Sequence, residues 1–344
     1  ELFNRWVGVL SAALVAILPG EFLNRSLLGF TDHHVAETLF STIAIMFLIM
    51  AIKRAKEKQI SFGHLVNRDW AIITKPFIYT LLAGIFLGIY LLSWQGGLLV
   101  VLIIFVYLAI QFIVDHLRGK STDYLCIIGT LSFLISYIML LAFLGKARVG
   151  TIYHISLLIA IMAPIALSGI SRLMAINTIK PACYPLALLG LAGISLAVFY
   201  TINPALFHSM FSKFGIFHPS GAYLTILEMH PLTPRIAWLS FTTSFLISFI
   251  SFGLLIYASI REESADKTLF LVWSIIMLLA VLGQRRFGYY YAINAALLTG
   301  YFSWRILESA GVGKLATKPQ EAPKRFKKRG KTKANTPAGN VLQT

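Results

Sequence analysis

The chain has 344 residues, of which 57% are hydrophobic and only 13% charged, and its mean hydropathy is +0.76. A soluble domain of this length would carry roughly a quarter charged residues. The net charge of +16 could indicate nucleic-acid binding, but ten of the 30 Lys and Arg residues lie in the last 40 positions. The composition therefore excludes a soluble enzyme and a DNA-binding domain. It also excludes a disulfide-stapled secreted scaffold, because both cysteines lie in apolar segments.

The apolar runs predict an all-α, polytopic transmembrane protein of about ten spans, because most runs are long enough for a helix to cross roughly 30 Å of hydrocarbon. The chain begins without Met inside an apparent helix, so we expect a fragment of a longer protein. The predicted spans are Trp6–Leu18, Glu37–Ile52, Pro76–Trp94, Leu98–Val114, Tyr124–Leu144, Ile152–Ile170, Tyr184–Ile202, Ile236–Ile260, Thr268–Gly283 and Tyr289–Trp304.

The basic residues orient these spans. If the loop 53–75 is cytoplasmic, 23 Lys and Arg residues fall inside and seven outside, which agrees with the positive-inside rule. The outer face then carries only four carboxylates, and five of the eight histidines share that face with them. These carboxylates belong to Glu21, Asp32, Glu37 and Glu228. We therefore expect the chemistry on the extracytoplasmic side of a multi-pass cell-membrane protein.

Three segments differ from plain spans. Residues 20–31 form an amphipathic stretch suited to the membrane interface. The external loop 203–235 is long and rich in Phe, His and Pro, which is typical of a functional or mobile segment. We predict a transmembrane catalytic domain over residues 1–310, followed by a basic, disordered cytoplasmic segment over 311–344 that is attracted to anionic lipids.

The segment Thr31-Asp32-His33-His34-Val35-Ala36-Glu37 places an acid and two imidazoles at the outer mouth of a span. In an extended or turning backbone Asp32 and His34 face the same way and could ligate one ion. Carboxylate and imidazole suit Mn²⁺ or Mg²⁺. Alternatively, Asp32 caps the helix that begins near Val35, with Glu37 in its first turn. Both interpretations stay open, and they are compatible.

Two further motifs lie on the outer side. Thr225-Ile226-Leu227-Glu228 contains the one carboxylate of the long external loop, surrounded by apolar residues that indicate packing rather than full exposure. Arg285 and Arg286 stand between two spans, directly before Phe287 and three tyrosines. Such arginines are often membrane anchors, but a guanidinium also matches phosphate oxygens in a bidentate way. A metal site, a loop acid and a cation pair beside lipid would suit group transfer from a lipid phosphate.

These motifs, in this order and together with Trp94-Gln95-Gly96-Gly97, resemble the catalytic subunit of oligosaccharyltransferase in its archaeal and bacterial single-chain form. The resemblance covers Gly20 to Arg305 and implies a GT-C-like glycosyltransferase membrane domain. It also implies that the first two spans, the last span and the C-terminal soluble domain with its Trp-Trp-Asp-Tyr-Gly motif are missing, so the fragment alone would be inactive.

The resemblance further implies inverting, metal-dependent transfer of an oligosaccharide from a polyprenyl phosphate or diphosphate to Asn in Asn-x-Ser/Thr sequons. Asp32 and His34 would bind the metal, and Glu228 would join them or hold the acceptor amide. Arg286 would bind the donor phosphate. The partners would then be the lipid-linked donor, the acceptor polypeptide and membrane lipids. The remaining candidate substrate-binding residues are Arg285, His33 and Thr225.

Two other functions compete. Another membrane glycosyltransferase that uses a lipid phosphate sugar would share this external-site architecture. A secondary transporter is the alternative from a different class, but transporters place ionisable groups or broken helices near the midplane. Six of the predicted span interiors contain no charge, which argues against ion coupling.

Overall fold

The computed structural model describes residues 2–29, 33–145, 149–219 and 221–311, and for Ala222 and Tyr223 the backbone only. Within these ranges all regular structure is helical, as the sequence predicts. The α-helices are α1 Arg5–Ile17, α2 Glu21–Ser26, α3 His34–Glu57, α4 Phe62–Val66, α5 Trp70–Ser93, α6 Leu98–Leu117, α7 Asp123–Leu144, α8 Thr151–Ile176, α9 Cys183–Ile202, α10 Pro204–Ser212, α11 Pro234–Phe241, α12 Thr243–Glu262, α13 Ala265–Gly283 and α14 Gly288–Ser309.

Eight of these helices are long and apolar enough to cross a membrane: α3, α5, α6, α7, α8, α9, α12 and α13. The other two predicted spans correspond to α1, which has only 13 residues, and to α14. Helix α14 is less apolar because its inward face carries tyrosines, Asn294 and Thr299, all buried against the bundle. Several spanning helices are longer than the apolar runs that predicted them, as α3 shows. Their charged ends can remain helical because Lys and Arg side chains there reach the membrane surface.

The predicted span Ile236–Ile260 is wrong as a single helix. Helix α11 ends at Phe241 and α12 begins at Thr243, and Thr242 between them has a φ of 49°. The apolar pattern runs through this break without interruption, so hydropathy gives no sign of it. A positive φ is unusual for a β-branched residue, and it interrupts the helix at Thr242.

The external loop predicted at 203–235 contains no spanning helix, in agreement with the sequence. It consists of α10, the start of α11 and three short 3₁₀ segments between them. These segments are Lys213–Ile216, Gly221–Thr225 and Leu227–Met229. A fourth 3₁₀ segment, Arg285–Phe287, joins α13 to α14.

The chain divides into two units, Glu1–Trp304 and Arg305–Thr344. The first unit contains the helices up to Trp304 and the continuous hydrophobic core. Residues 312–344 lie outside the described ranges, so the basic tail predicted over 311–344 and the domain boundary before it stay predictions.

One end of the bundle, which we call the site end, is where α5 and α13 finish and α3, α6 and α14 begin. Aromatic contacts define it: the Trp94 ring lies 6.3 Å from the Phe287 ring, and the Tyr290 hydroxyl lies 3.0 Å from the Tyr90 hydroxyl. At the opposite end, Lys120 and Arg118 contact the Glu263 carboxylate between α12 and α13. The hydrogen bond and charge of Lys120, with the charge of Arg118, lower the pKa of Glu263.

Helices α5 and α7 pack closely because α5 presents two glycines four residues apart. A Cβ atom at Gly84 would lie 2.9 Å from the Ser132 carbonyl oxygen and 2.8 Å from the Ile135 Cβ. A Cβ atom at Gly88 would lie 2.7 Å from the Met139 sulfur, which a flexible side chain can move away. Such small residues let two helix backbones pack closely in a membrane. Close packing matters there because the surrounding lipid is itself apolar, so burial of apolar side chains contributes little to helix association. Gly84 is therefore the tighter of the two contacts.

Substitution of Gly84 by Ala should lower the free energy of unfolding by about 1–3 kcal/mol, the usual range for overpacking. The matched control is Gly253→Ala in α12, where a Cβ atom would meet nothing within 4 Å. That change should be neutral or slightly stabilising, because Ala favours helix more than Gly. Thermal unfolding midpoints in detergent compare the two variants. Equal shifts would contradict the close approach of α5 and α7.

Candidate active site

The centre of the site end is the carboxylate of Glu37, in the first turn of α3. Its side chain is 0% exposed, although it lies beside two polar rings. One carboxylate oxygen, Oε2, accepts hydrogen bonds from the hydroxyls of Tyr289 at 2.9 Å and Tyr290 at 2.8 Å. The other, Oε1, lies 2.8 Å from His33 Nε2 and 3.3 Å from His34 Nδ1. Both oxygens of this buried acid are thus engaged.

Local helix geometry explains how these groups meet. His33 and His34 precede Glu37 by four and three residues, the spacings that put side chains on one face of a helix. His33 occupies the N-cap position of α3, and its side chain makes no capping hydrogen bond. The Tyr289 ring packs 4.7 Å from the His34 ring. Glu37 therefore connects the start of α3 to the start of α14, rather than serving as a solvated first-turn acid.

The hydrogen bonds continue from this cluster to the end of α5. The Tyr290 hydroxyl, whose one hydrogen goes to Glu37, lies 3.0 Å from the Tyr90 hydroxyl, and Tyr90 is fully buried in the last turn of α5. The Trp94 ring lies 6.1 Å from the Tyr290 ring and 6.3 Å from Phe287. Phe287 itself is buried and directly follows Arg286. We call Arg285–Phe287 the arginine turn, and it is consequently packed against the same aromatic group that holds Glu37.

Glu228 of the external loop joins this region through Arg25. The Arg25 guanidinium contacts the carboxylates of Glu21 and Glu228, each at 2.8 Å, and lies 5.2 Å from the centroid of the Tyr289 ring. Burial alone would lower the pKa of Arg25, but the hydrogen bonds and charges of the two glutamates outweigh it and raise that pKa. Arg25 thus contacts both Glu228 and the Tyr289 ring, and Tyr289 in turn donates a hydrogen bond to Glu37.

Backbone hydrogen bonds fasten the loop to the arginine turn as well. The Arg285 amide donates to the His230 carbonyl at 2.9 Å, and the Leu232 amide donates to the Leu282 carbonyl at 3.1 Å. Thr225 lies on the exposed side of the loop, three residues before Glu228. The loop segment that carries Glu228 is therefore docked along the end of α13.

Arg285 and Arg286 occupy the 3₁₀ turn between α13 and α14. Each has an Nε atom that is shielded from solvent and has no hydrogen-bond partner among the described residues. The Arg286 guanidinium lies 5.0 Å from the centroid of the Phe287 ring. A shielded N–H donor without an acceptor is costly, about 1–3 kcal/mol. Each side chain thus keeps an N–H donor that has no acceptor among the described residues.

The structure brings together most, but not all, of the site predicted from the sequence. Asp32 lies outside the described residues, so the predicted ligand set of Asp32, His34 and Glu228 stays a prediction. Among the described residues, the group able to hold a metal ion is His33, His34 and Glu37, whose ligand atoms lie within 4.8 Å of one another. Glu228 is not in that group, and its carboxylate pairs with Arg25 instead.

Sequence reasoning missed the roles of Glu37, Arg25 and the tyrosines that follow Phe287. The spacing of Glu37 from the two histidines was a usable signal, although it equally suits a first-turn helix acid. The partners of Arg25 and of Glu37 lie 203 and 252 residues away in the chain. Such pairings cannot be identified from one sequence.

The described helices and the polar cluster at their end define a multi-pass membrane protein with a candidate active site at one end of its helical bundle. The chain belongs to the family described as oligosaccharyl transferase STT3, N-terminal, whose family model matches residues 1–310. Family membership agrees with the resemblance seen in the sequence.

Several known proteins are similar to this chain. It is 27% identical over 316 residues to dolichyl-phosphooligosaccharide-protein glycotransferase 3 of Archaeoglobus fulgidus, a match that covers 86% of this chain and 36% of the relative. Archaeal oligosaccharyltransferase AglB from the same organism, solved in complex with an inhibitory peptide and a dolichol-phosphate, has a TM-score of 0.80 at 24% identity. That match covers 95% of this chain and 39% of the solved one.

A further solved structure is the Archaeoglobus fulgidus oligosaccharyltransferase in complex with Zn and sulfate. It has a TM-score of 0.65 and 22% identity, and the match covers 92% of this chain and 37% of the solved chain. At these identities the two solved structures establish the fold alone. The chain spans between 36% and 39% of the length of the three proteins.

Replacement of Arg25 by Ala should loosen the Glu228 segment. The protection of the 227–229 backbone amides from hydrogen exchange should fall by a factor of roughly two to five, because an ion pair with an exposed partner contributes about 0.2–1 kcal/mol. Hydrogen-exchange mass spectrometry measures this protection. The control is Arg235→Ala, an exposed cation of the same loop without an ion pair among the described residues. Unchanged exchange in Arg25→Ala would mean that the backbone contacts alone dock the loop.

Proposed function

We propose that this chain is the membrane part of an oligosaccharyltransferase. It would transfer an oligosaccharide from a polyprenyl phosphate or diphosphate carrier to the Asn side chain of Asn-x-Ser/Thr sequons. One observation carries the proposal: a carboxylate–histidine group lies at the same end of the bundle as an arginine turn whose Nε donors have no acceptor among the described residues. Membership in the family supports it, as does the relative described as a dolichyl-phosphooligosaccharide-protein glycotransferase.

The arginine turn is the proposed binding site for the donor phosphate. Phosphate oxygens would satisfy the shielded Nε donors of Arg285 and Arg286, and charge-assisted bonds of this kind are the strong ones. The relative solved with a dolichol-phosphate and the one solved with sulfate are consistent with an anion-binding role for this domain. Because the turn lies at the end of the apolar helix α13, a lipid-borne phosphate could reach it from the membrane surface.

The histidine and carboxylate groups fit a divalent metal. His33, His34 and Glu37 offer nitrogen and oxygen atoms within 4.8 Å of one another, and Asp32 would add a carboxylate directly before them in sequence. Such a donor set suits Mn²⁺ or Mg²⁺, and imidazole also suits Zn²⁺, which a relative binds. A metal bound there would stabilise negative charge on the leaving phosphate as a Lewis acid.

Glu228 is the proposed partner of the acceptor. An amide nitrogen is a poor nucleophile because its lone pair is delocalised into the carbonyl group. A carboxylate that accepts a hydrogen bond from the amide N–H would draw the group out of that conjugation and orient it. Arg25 holds Glu228 close to the Glu37 cluster, and Thr225 on the same loop would contact the acceptor chain. Attack from the side opposite the leaving phosphate would give inversion.

We place the site end on the extracytoplasmic side, because the excess of Lys and Arg at the other end follows the positive-inside rule. The arrangement of charge also weakens the transporter alternative. In the eight apolar helices of the described part, every Asp, Glu, Lys and Arg residue lies in the first or last two turns. Ion-coupled transporters instead keep ionisable groups near the membrane midplane.

In the full-length protein, Arg286→Ala should raise the KM for the lipid-linked donor by roughly 10- to 100-fold, since a charge-assisted hydrogen bond contributes about 1.5–3 kcal/mol. The KM for a sequon peptide should change far less. Arg286→Lys should recover only part, because a point charge replaces a planar fork. Arg235→Ala is the charge-matched control. Equal changes for donor and acceptor would assign Arg286 to packing instead.

Metal removal provides a second test. Glycan transfer by the full-length protein should be lost in chelator and restored by Mn²⁺ or Mg²⁺. Asp32→Ala should abolish transfer, because it removes the carboxylate that we predict to ligate the metal beside His34. His34→Ala should be milder and should depend on which metal is supplied, since Mn²⁺ prefers imidazole more than Mg²⁺ does. Full activity in chelator would overturn the metal-dependent mechanism.

A further inference from the structure

We propose that Glu37 is a positioning residue for the metal site: it holds the His34 ring so that Nε2, and not Nδ1, faces the bound divalent cation. This inference rests on the metal site of the proposed function and deepens it. Although the Glu37 carboxylate lies within 4.8 Å of the ligand atoms of both histidines, it would act through His34 rather than as a metal ligand itself.

The hydrogen-bond pattern around Glu37 sets the tautomer of each imidazole. A carboxylate can only accept hydrogen bonds, so the ring nitrogen that faces it must carry the hydrogen. His34 presents Nδ1 to Glu37 Oε1 at 3.3 Å, and the lone pair of its neutral ring is therefore on Nε2. His33 presents Nε2 at 2.8 Å, which puts its lone pair on Nδ1. Metal-binding histidines are usually oriented in this way by a carboxylate behind the ring.

Of the two histidines, His34 is the more enclosed. Its ring packs 4.7 Å from the Tyr289 ring, and its side chain is 14% exposed. The His33 side chain is 45% exposed. Tyr289 contacts His34 through its ring and Glu37 through its hydroxyl, so one side chain fixes both the imidazole and the acid behind it.

Direct coordination by Glu37 would disrupt its other contacts. Its Oε2 atom accepts from Tyr289 and Tyr290, and the side chain is entirely buried. Coordination through Oε2 would leave buried hydroxyls without acceptors, and coordination through Oε1 would displace the two imidazole N–H groups that it faces. A fixed carboxylate behind His34 avoids either loss and satisfies every group in the cluster.

The sharpest test is Glu37→Gln, which preserves shape but replaces one oxygen by an NH₂ group. If the amide oxygen keeps the tyrosine hydrogen bonds, the NH₂ group faces His34 Nδ1 and donates to it. The hydrogen on the ring then moves to Nε2, which loses its lone pair. Binding of Mn²⁺ to the full-length protein, followed by the EPR signal of free Mn²⁺, should weaken by roughly 10- to 100-fold.

Two further variants bracket this result. Tyr291→Phe is the matched control, because its hydroxyl bonds Ser248 at 2.8 Å and not Glu37; Mn²⁺ affinity should stay within about twofold. Tyr290→Phe removes one hydroxyl that holds Glu37 while it keeps the ring, and affinity should fall by an intermediate factor. Tyr290→Phe also tests the proposal if Glu37→Gln does not fold: affinity equal to wild type there would overturn it.

A double-mutant cycle separates positioning from coordination. If Glu37 acts through His34, Glu37→Gln should cause no further loss of Mn²⁺ affinity once His34 is Ala. Additive losses would make Glu37 an independent ligand and overturn the inference, as would wild-type affinity in Glu37→Gln itself. Absence of Mn²⁺ binding in the wild-type protein would overturn the metal part of the proposed function together with this inference. Normal wild-type binding with an unaffected Gln variant would overturn the inference alone.

Discussion

The buried carboxylate of Glu37 is the constraint on which the site end depends. An acid taken out of water is stable only if its oxygens find donors, because the unpaired ion would cost several kcal/mol. Glu37 finds them in two tyrosine hydroxyls and two imidazoles that come from different parts of the chain. Satisfying this one side chain therefore fixes the start of α3 against the start of α14, and through Tyr90 against the end of α5.

The other parts of the site are arranged around that fixed centre. Arg25 stacks near Tyr289 and holds Glu228, while Phe287 and Trp94 pack the arginine turn against Tyr290. Tyrosine rings thus separate three charged groups: the histidine–carboxylate cluster, the loop acid and the arginine pair. Among the described residues, neither Arg285 nor Arg286 forms an ion pair, and each keeps a shielded Nε donor without an acceptor.

Hydropathy and charge predict the helical architecture because lipid imposes length and polarity on each span. They miss the break at Thr242, where apolarity continues through a backbone bend. They also detect His34, Glu228 and Arg286 as unusual, since polar residues at span ends in an apolar chain stand out. They do not identify Glu37, Arg25 or Tyr289 as partners, because those contacts join positions more than 200 residues apart. The same residue types serve equally well as helix-end acids or membrane anchors when viewed alone.

The separation of Glu37 from its tyrosines has a consequence for biosynthesis. A ribosome adds roughly 5–20 residues per second, so the 252 residues between Glu37 and Tyr289 take roughly 10–50 seconds to appear. During that interval α3 is made while the hydroxyls that complete its first turn do not yet exist. Because Glu37 lies at the end of the helix and not at its middle, water at the membrane surface can solvate the carboxylate meanwhile. Arrival of α14 then exchanges that water for tyrosine, so the centre of the site is completed only at a late stage of chain synthesis.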